Sequence, residues 1–418
     1  MPPPDPAPSR AAFLAAFARI GLLSFGGPAA QIAVMHRILV EETAWLPERR
    51  FLRALSFCML LPGPEAMQLA TYAGWRLRGV AGGLVAGALF VLPGAAVMLA
   101  LSLAYIRYGT LPQVEAAFLG IKAAILAIVL AALVQVARRA LAGPWHRAIA
   151  LLAFVALFLL ALPYPLVVAA AALAGAVLGG AAEPASGAAP APASRRWALL
   201  LLAAGIALWI GPILLLDGIL REIGLFFAGL ALVTFGGAYA VLAWLAQDAV
   251  TTLGWLTPGE MMDGLGLAET TPGPLILVTQ FAGTLAAFRE GGLPLALAGA
   301  AVTLWATFVP CYLWIFAFGP WIDRIAAQPR LAGALSGITA AVVGVIANLS
   351  LWFALHTAFA EVTRQRLGPL VLWRPDPATL DPLVPLLAAL AALLLRTGPG
   401  LGWTLAIMAA LGILLGSA

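Results

Sequence analysis

The chain has 418 residues, of which 63% are hydrophobic and only 10% charged, with a formal net charge of +5 at pH 7 and a mean hydropathy of +1.01. That composition excludes a soluble globular protein, whose surface needs far more charge, and apolar stretches recur at about the 20-residue length of a bilayer span. The positive charge does not signal nucleic acid: it is almost all Arg, scattered singly or in short groups between apolar segments, as membrane-flanking charge is.

In chain order, residues 1–10 read Met-Pro-Pro-Pro-Asp-Pro-Ala-Pro-Ser-Arg. Proline prevents a helix there, so a disordered tail is predicted rather than a signal peptide. Apolar segments follow near 11–36, 51–75, 79–106, 114–137, 148–163 and 164–180. Residues 181–196, rich in Ala, Pro and Ser, read as a linker. A connecting transmembrane helix is predicted at 197–220, then segments near 222–247, 261–287, 293–318, 331–357, 382–396 and 401–416. The expected fold is an all-α integral membrane protein of about 13 transmembrane helices (range 11–14).

An internal repeat organises these segments. Phe25-Gly26-Gly27 recurs as Phe235-Gly236-Gly237, Trp45-Leu46 as Trp255-Leu256, and Pro62-Gly63-Pro64 as Pro272-Gly273-Pro274, each time 210 positions later. Gly74 matches Gly283 after a one-residue deletion, and the register resumes at an offset of 217, with Pro93 on Pro310 and Gly120-Ile121 on Gly337-Ile338. The chain therefore reads as two homologous six-helix repeats, 11–180 and 221–418. One unpaired segment between them would turn the second repeat upside down, the inverted plan of many secondary transporters. The Arg distribution does not fix the orientation cleanly, because Arg76, Arg78, Arg138 and Arg139 favour one side and Arg49, Arg50, Arg53 and Arg364 the other.

In each half a Phe-Gly-Gly step interrupts the first segment and a Pro-Gly-Pro step the second. Proline removes a backbone donor, so the second step should split a helix into two pieces. Broken backbone at membrane depth survives only where protein or a wet cavity surrounds it, and helix N-termini turned inward present N–H groups that suit an anion. A single such motif would be an ordinary kink; two motifs repeated at one offset favour a substrate pathway. The candidate binding residues are Gly26, Gly27, Pro62, Gly63, Pro64, Gly236, Gly237, Thr270, Thr271, Pro272, Gly273 and Pro274.

Three ionisable residues are candidates for coupling or gating. Glu65 follows Pro64 and Glu269 precedes Pro272, and they are not repeat equivalents. The bland alternatives are a helix cap for Glu65 and interfacial water for either. Lys122, the only lysine, lies inside an apolar segment and either functions there or snorkels to the interface. Gln31, Gln68, Gln280 and Asn348 can contact an oxyanion or simply bond neighbouring helices.

Cys58 and Cys311 form no Cys-x-x-Cys pair and His36, His146 and His356 are scattered, so no metal site and no cofactor is expected. The lysine follows Ile121, which excludes a Walker A loop, and no aspartate precedes a lysine, which excludes an Asp-Lys-Thr-Gly pump site. An enzyme is disfavoured, since no His/Asp/Glu constellation is clustered in the sequence.

The landmarks Ser24-Phe-Gly-Gly-Pro28, Trp45-Leu46 and Leu60-Leu-Pro-Gly-Pro64, with Thr234-Phe-Gly-Gly237, Gly254-Trp-Leu256 and Ala268-Glu-Thr-Thr-Pro-Gly-Pro-Leu275, resemble the chromate ion transporter family in its long two-domain form. The resemblance runs from residue 13 to about 416. It departs at Glu65 and Met67, where family members often carry small residues. It implies export of chromate, a small inorganic oxyanion, across the bacterial inner membrane, with chromate resistance as the outcome and sulfate as a close analogue. A different anion on the same scaffold, or a membrane-embedded enzyme or lipid-handling protein, stays open. The bilayer is the expected surrounding, no nucleic acid is expected, and a homodimer is left open.

Overall fold

The computed structural model describes residues 8–179, 195–235, 238–322, 328–398 and 400–416. Residues 1–7 of the predicted tail, 181–194 of the predicted linker, and the candidates Gly236 and Gly237 lie outside the described residues.

The first half begins with α1 (Arg10–Leu23), α2 (Gly27–His36), α3 (Glu48–Cys58), α4 (Glu65–Tyr108) and α5 (Pro112–Ala140). Helices α6 (Pro144–Phe158) and α7 (Tyr164–Leu178) complete it. The unpaired α8 (Arg195–Leu214) leads to α9 (Gly218–Leu232), α10 (Ala238–Gln247), α11 (Pro258–Thr270), α12 (Val278–Phe318) and α13 (Pro329–Ala358). A β-hairpin, β1 (Val362–Leu367) and β2 (Leu370–Pro375), precedes α14 (Leu383–Thr397) and α15 (Leu401–Gly416). Among the described residues, four stretches are long and apolar enough to cross a membrane: Glu65–Tyr108, Pro112–Ala140, Leu275–Phe318 and Pro329–Ala358, with shorter apolar helices as well. Leu151, Leu152, Leu173 and Val177 are each more than three-fifths exposed, a face suited to acyl chains and not to water. The protein is a multi-pass, predominantly helical membrane protein, and the hairpin departs from the all-α expectation. Its sequence signal is the Gly368-Pro369 pair between two short runs rich in Val, Thr, Leu and Trp, with Gly368 at φ 60 in the turn.

Three of the four predicted interruptions fall where expected, the fourth including the undescribed Gly236 and Gly237. Phe-Gly-Gly separates α1 from α2, and Pro-Gly-Pro separates α3 from α4 and α11 from the short 3-10 turn Leu275–Leu277 that opens α12. Both long helices also fold back on themselves, at Arg78–Gly79 in α4 and at Gly291–Gly292 in α12. The arms of each pack by glycine: a side chain at Gly74 would strike the Gly82 carbonyl, and one at Gly299 the Gly283 carbonyl. Repeat equivalence extends to the backbone. A π-helical turn, Arg37–Glu42, follows α2 and another, Asp248–Thr252, follows α10. Each closes with matching bonds, Thr43 N–H to Ile38 O and Leu253 N–H to Asp248 O, then Leu46 N–H to Leu39 O and Leu256 N–H to Ala249 O.

The chain divides into two compact units, residues 1–102, 182–238 and 271–332 in one and residues 103–181, 239–270 and 333–418 in the other. Each unit takes segments from both halves of the sequence. In the first, Phe17, Phe57, Phe90, Phe227 and Phe281 are fully buried, and α8 is tied to α12 by Trp209 Nε1 donating to Ala306 O at 2.9 Å. In the second, glycines set close helix contacts: Gly120 of α5 on Met408 of α15, Gly175 of α7 on Gly333 and Gly337, and Gly344 of α13 on Ala150 of α6.

Candidate functional site

The two Pro-Gly-Pro turns belong to the first unit, and each is held by the other half of the sequence. Gly63 donates its N–H to Thr234 O at 2.8 Å, and Gly273 donates its N–H to Ser24 O at 2.7 Å. The four residues are two repeat-equivalent pairs, so one hydrogen bond has been made twice, reciprocally. The local reason lies in the hydroxyls. Ser24 Oγ donates to Ile20 O at 2.6 Å and Thr234 Oγ1 to Leu230 O at 2.7 Å, which ends α1 and α9 and leaves the residue's own carbonyl to accept from the facing turn. Ser24 and Thr234 are buried.

Glycine is required in both turns. Gly63 has φ 115 and Gly273 φ 88, a region in which a side chain is strained. Space is short as well: a Cβ at Gly63 would lie 3.0 Å from Cys311 Sγ and 3.0 Å from Gln68 Nε2, and one at Gly273 would lie 3.4 Å from Phe90 O. Gln68 Nε2 donates to Pro62 O at 2.7 Å and Gln31 Nε2 to Gly273 O at 2.8 Å, so side-chain amides support both turns. The helix after each turn starts with N–H groups that have no carbonyl within the helix. In α4 they are those of Glu65, Ala66 and Met67, since the first bond runs from Gln68 N–H to Pro64 O; after the second turn the first bond is Leu277 N–H to Pro274 O.

These helix starts share a cavity. Pro28 and Gln31 from the first turns of α2, Pro64, Glu65 and Ala66 from the start of α4, and Pro274, Leu275 and Ile276 from the second turn line it together with Thr234. Convergent helix N-termini create positive potential in a low-dielectric setting, where an anion gains most. Glu65 is the one carboxylate among the lining residues, half-buried at the start of α4. Pro62, Gly63, Pro64, Pro272, Gly273 and Pro274 thus form one neighbourhood with Gly26 and Gly27 at the cap of α2, where Gly26 is left-handed. Thr271 is buried beside Pro272, whereas Thr270 is exposed and spends its hydroxyl on Leu267 O at 2.9 Å. Thr270 is the predicted binding residue least suited to a ligand.

Lys122 and Glu269 belong to the second unit. Lys122 Nζ lies 3.2 Å from Asp263 Oδ1, with side-chain exposures of 22% and 7%, and Tyr105 O–H donates to Asp263 Oδ2 at 2.8 Å. Gly266 sets the approach of α11 to α5, because a side chain there would meet Ile121. Glu269 is 6% exposed and accepts from the Tyr239 hydroxyl at 2.7 Å. Asp263, Tyr105 and Tyr239 were not singled out in the sequence. The signal for Asp263 was the lone intramembrane lysine itself, which needs a counter-charge in hydrocarbon; the two tyrosines gave none. Among the described residues no group of three or more His, Cys, Asp or Glu side chains is placed to hold a metal ion.

The sequence pattern of one family, described as "Chromate transporter", matches residues 11–176 and again 221–416. The chain is 34% identical over 391 residues to a chromate transport protein of Pseudomonas aeruginosa, covering 89% of this chain and 85% of that one. It is 32% identical over 332 residues to a chromate transport protein of Cupriavidus metallidurans, 79% of each. An uncharacterized transporter of Methanocaldococcus jannaschii shares 22% over 352 residues, 83% of this chain and 85% of its own length. No solved structure matches. Broken helices duplicated at one offset and two family matches over the same two halves lead to one conclusion: this chain belongs to the chromate transporter family, a family of transporters and not of enzymes.

Proposed function

We propose that the protein is a secondary transporter that exports chromate, or a similar tetrahedral oxyanion, across the bacterial inner membrane. The observation that carries the reading is the reciprocal pair of bonds, Gly63 N–H to Thr234 O and Gly273 N–H to Ser24 O. These bonds fix two inward helix starts around one cavity. A dianion cannot cross hydrocarbon unpaired; backbone donors of Glu65, Ala66, Leu275 and Ile276 offer it partners without a fixed full positive charge that would trap it. Leaving a negative-inside cell, a dianion gains roughly 4–5 kcal/mol per 100 mV, which uptake would have to overcome.

In this proposal the chain has about thirteen spans, with repeats at 11–180 and 221–418 inverted about a site near the midplane and a connecting span at 197–220. Alternating access then amounts to exchanging which side the paired turns face. Glu65 at the cavity and Glu269 on Tyr239 are the coupling candidates, each able to carry a proton against the anion, and the Lys122–Asp263 pair is a gating candidate. Sulfate is the second cargo to test, because it has the same shape and charge. The protein could work singly or as a homodimer.

The test is purified protein in liposomes, with chromate and sulfate fluxes measured under imposed potentials and pH gradients. Potential-driven chromate movement that saturates supports the reading. Flux equal to that of protein-free liposomes under every gradient removes it.

A further inference from the structure

In the second unit a cavity lies under the β-hairpin, away from both Pro-Gly-Pro turns in sequence. Its polar lining includes Gln247 at the end of α10, Asn348 on α13 and Arg364 on β1, with Trp352 and Trp373 as aromatic walls. No acidic residue lines it, and among the described residues no carboxylate pairs with Arg364. The guanidinium instead sits 5.6 Å from the Trp373 ring centroid. The ring quadrupole attracts the charge without supplying a lone-pair acceptor to its N–H groups.

The wall carrying Arg364 is anchored. Val371 is 2% exposed, and its N–H donates to Leu159 O at 2.6 Å, capping a carbonyl just past the end of α6. Trp373 packs on His356 at 5.4 Å, and His356 on Trp352 at 4.2 Å. Duplication does not account for the cavity. By the repeat offsets Gln247 corresponds to Arg37 and Asn348 to Ala131, and no strand occurs between α5 and α6 where the hairpin would fall. The second half has acquired a cation and two amides around one space, without an anion to neutralise them.

We propose that this cavity is a second binding site, for a tetrahedral oxyanion held by the Arg364 fork and the amides of Gln247 and Asn348. Two sources carry that chemistry: a free dianion such as sulfate or chromate, and the phosphate of a lipid headgroup. The site's existence is independent of the transport reading, which bears only on which free anion would arrive.

The experiment is equilibrium binding of radiolabelled sulfate to the full chain in phosphatidylcholine nanodiscs at fixed ionic strength. Replacing Arg364 by Gln should weaken one class of sulfate site about tenfold, the loss of a charge-assisted bond, while Arg364→Lys retains part of it. Asn348→Leu should weaken it about threefold as a neutral bond. Repeating the measurement with phosphatidylglycerol present separates the sources: competition by the lipid assigns a headgroup, and unchanged sulfate affinity assigns the free ion. Binding curves for wild type and Arg364→Gln that superimpose both in phosphatidylcholine nanodiscs and in phosphate-free dodecyl maltoside micelles overturn the site. Flux is scored separately, so a protein that moves no chromate but loses sulfate affinity on Arg364→Gln keeps this site and drops the transport reading.

Discussion

The two Pro-Gly-Pro turns have the same backbone and different surroundings. Each is buried, each has a left-handed glycine, and each glycine donates to the hydroxyl residue that ends a helix of the opposite half. Around them the side chains diverge. Glu65 stands where the second half has Leu275, Gln31 where it has Val241, and Met59 where it has Glu269. Even the wall differs: the Gly63 turn abuts Cys311, whereas the Gly273 turn abuts Gly94 so closely that any side chain there would strike Pro272 O, and Gly94 and Cys311 are themselves repeat equivalents. Duplication has kept the main-chain geometry, which every residue supplies, and has let charge become single-copy. In the transport reading proposed above, both halves supply the amides that hold the anion, and each ionisable candidate is present in one half alone.

The largest effect should come from destroying that shared geometry. Gly63→Leu and Gly273→Leu should each reduce chromate flux in liposomes to background while the protein still inserts and elutes as a monodisperse species. Loss in one and normal flux in the other would break the equivalence of the turns.

Next in size is the Lys122–Asp263 pair, whose repeat counterpart, Thr339 with Arg53, offers no opposite charges. Lys122→Met or Asp263→Leu alone leaves a poorly solvated charge and should cost about 3 kcal/mol, read as a lowered unfolding midpoint in detergent. The double replacement should recover most of it. A double variant no more stable than the singles would show that the pair is not the origin of the effect.

The single-copy carboxylates sharpen the asymmetry. Glu269→Gln should flatten the pH dependence of chromate flux and leave potential-driven flux at symmetric pH largely intact, if the Tyr239-bound carboxyl is the proton carrier; Glu65→Gln is the parallel test at the cavity. A pH profile unchanged in both variants returns these groups to structural roles.

The smallest effect concerns a turn in which the halves chose different residues for one conformation. Ala44 has φ 52, and its equivalent Gly254 has φ 65. Ala44→Gly should stabilise by about 1 kcal/mol, and Gly254→Ala should destabilise by a similar amount. Thermal unfolding of the two variants checks the opposite signs.

Residues with unusual covalent chemistry were the legible ones. Proline and glycine dictate backbone breaks wherever they sit, so Pro62-Gly63-Pro64 and Pro272-Gly273-Pro274 announced interruptions without any knowledge of their neighbours. The family-level landmarks were legible for the same reason. The π-turns were not, because an extra residue accommodated in a helix leaves no periodic mark. The hairpin was not legible either, because Val-Thr-Arg-Gln-Arg-Leu and Leu-Val-Leu-Trp-Arg lack the apolar-polar alternation that marks a strand. Thr270 and Thr271 look identical in the sequence, yet one is exposed and the other buried.

Composition, segment length and the 210-residue register therefore determined by themselves that this chain lives in a membrane, is built from two related halves and breaks its helices at matched points. These are properties of the local chain, since hydropathy and backbone conformation are fixed within a few residues. Only the tertiary structure decided that each turn is tied to the other half, that the lone lysine and Tyr105 both meet Asp263, and that Gln247, Asn348 and Arg364 line one cavity. Those partners are separated by up to 249 positions, as Gly273 is from Ser24, and a hydrogen bond between distant residues is chosen by packing and not by either residue's own preference.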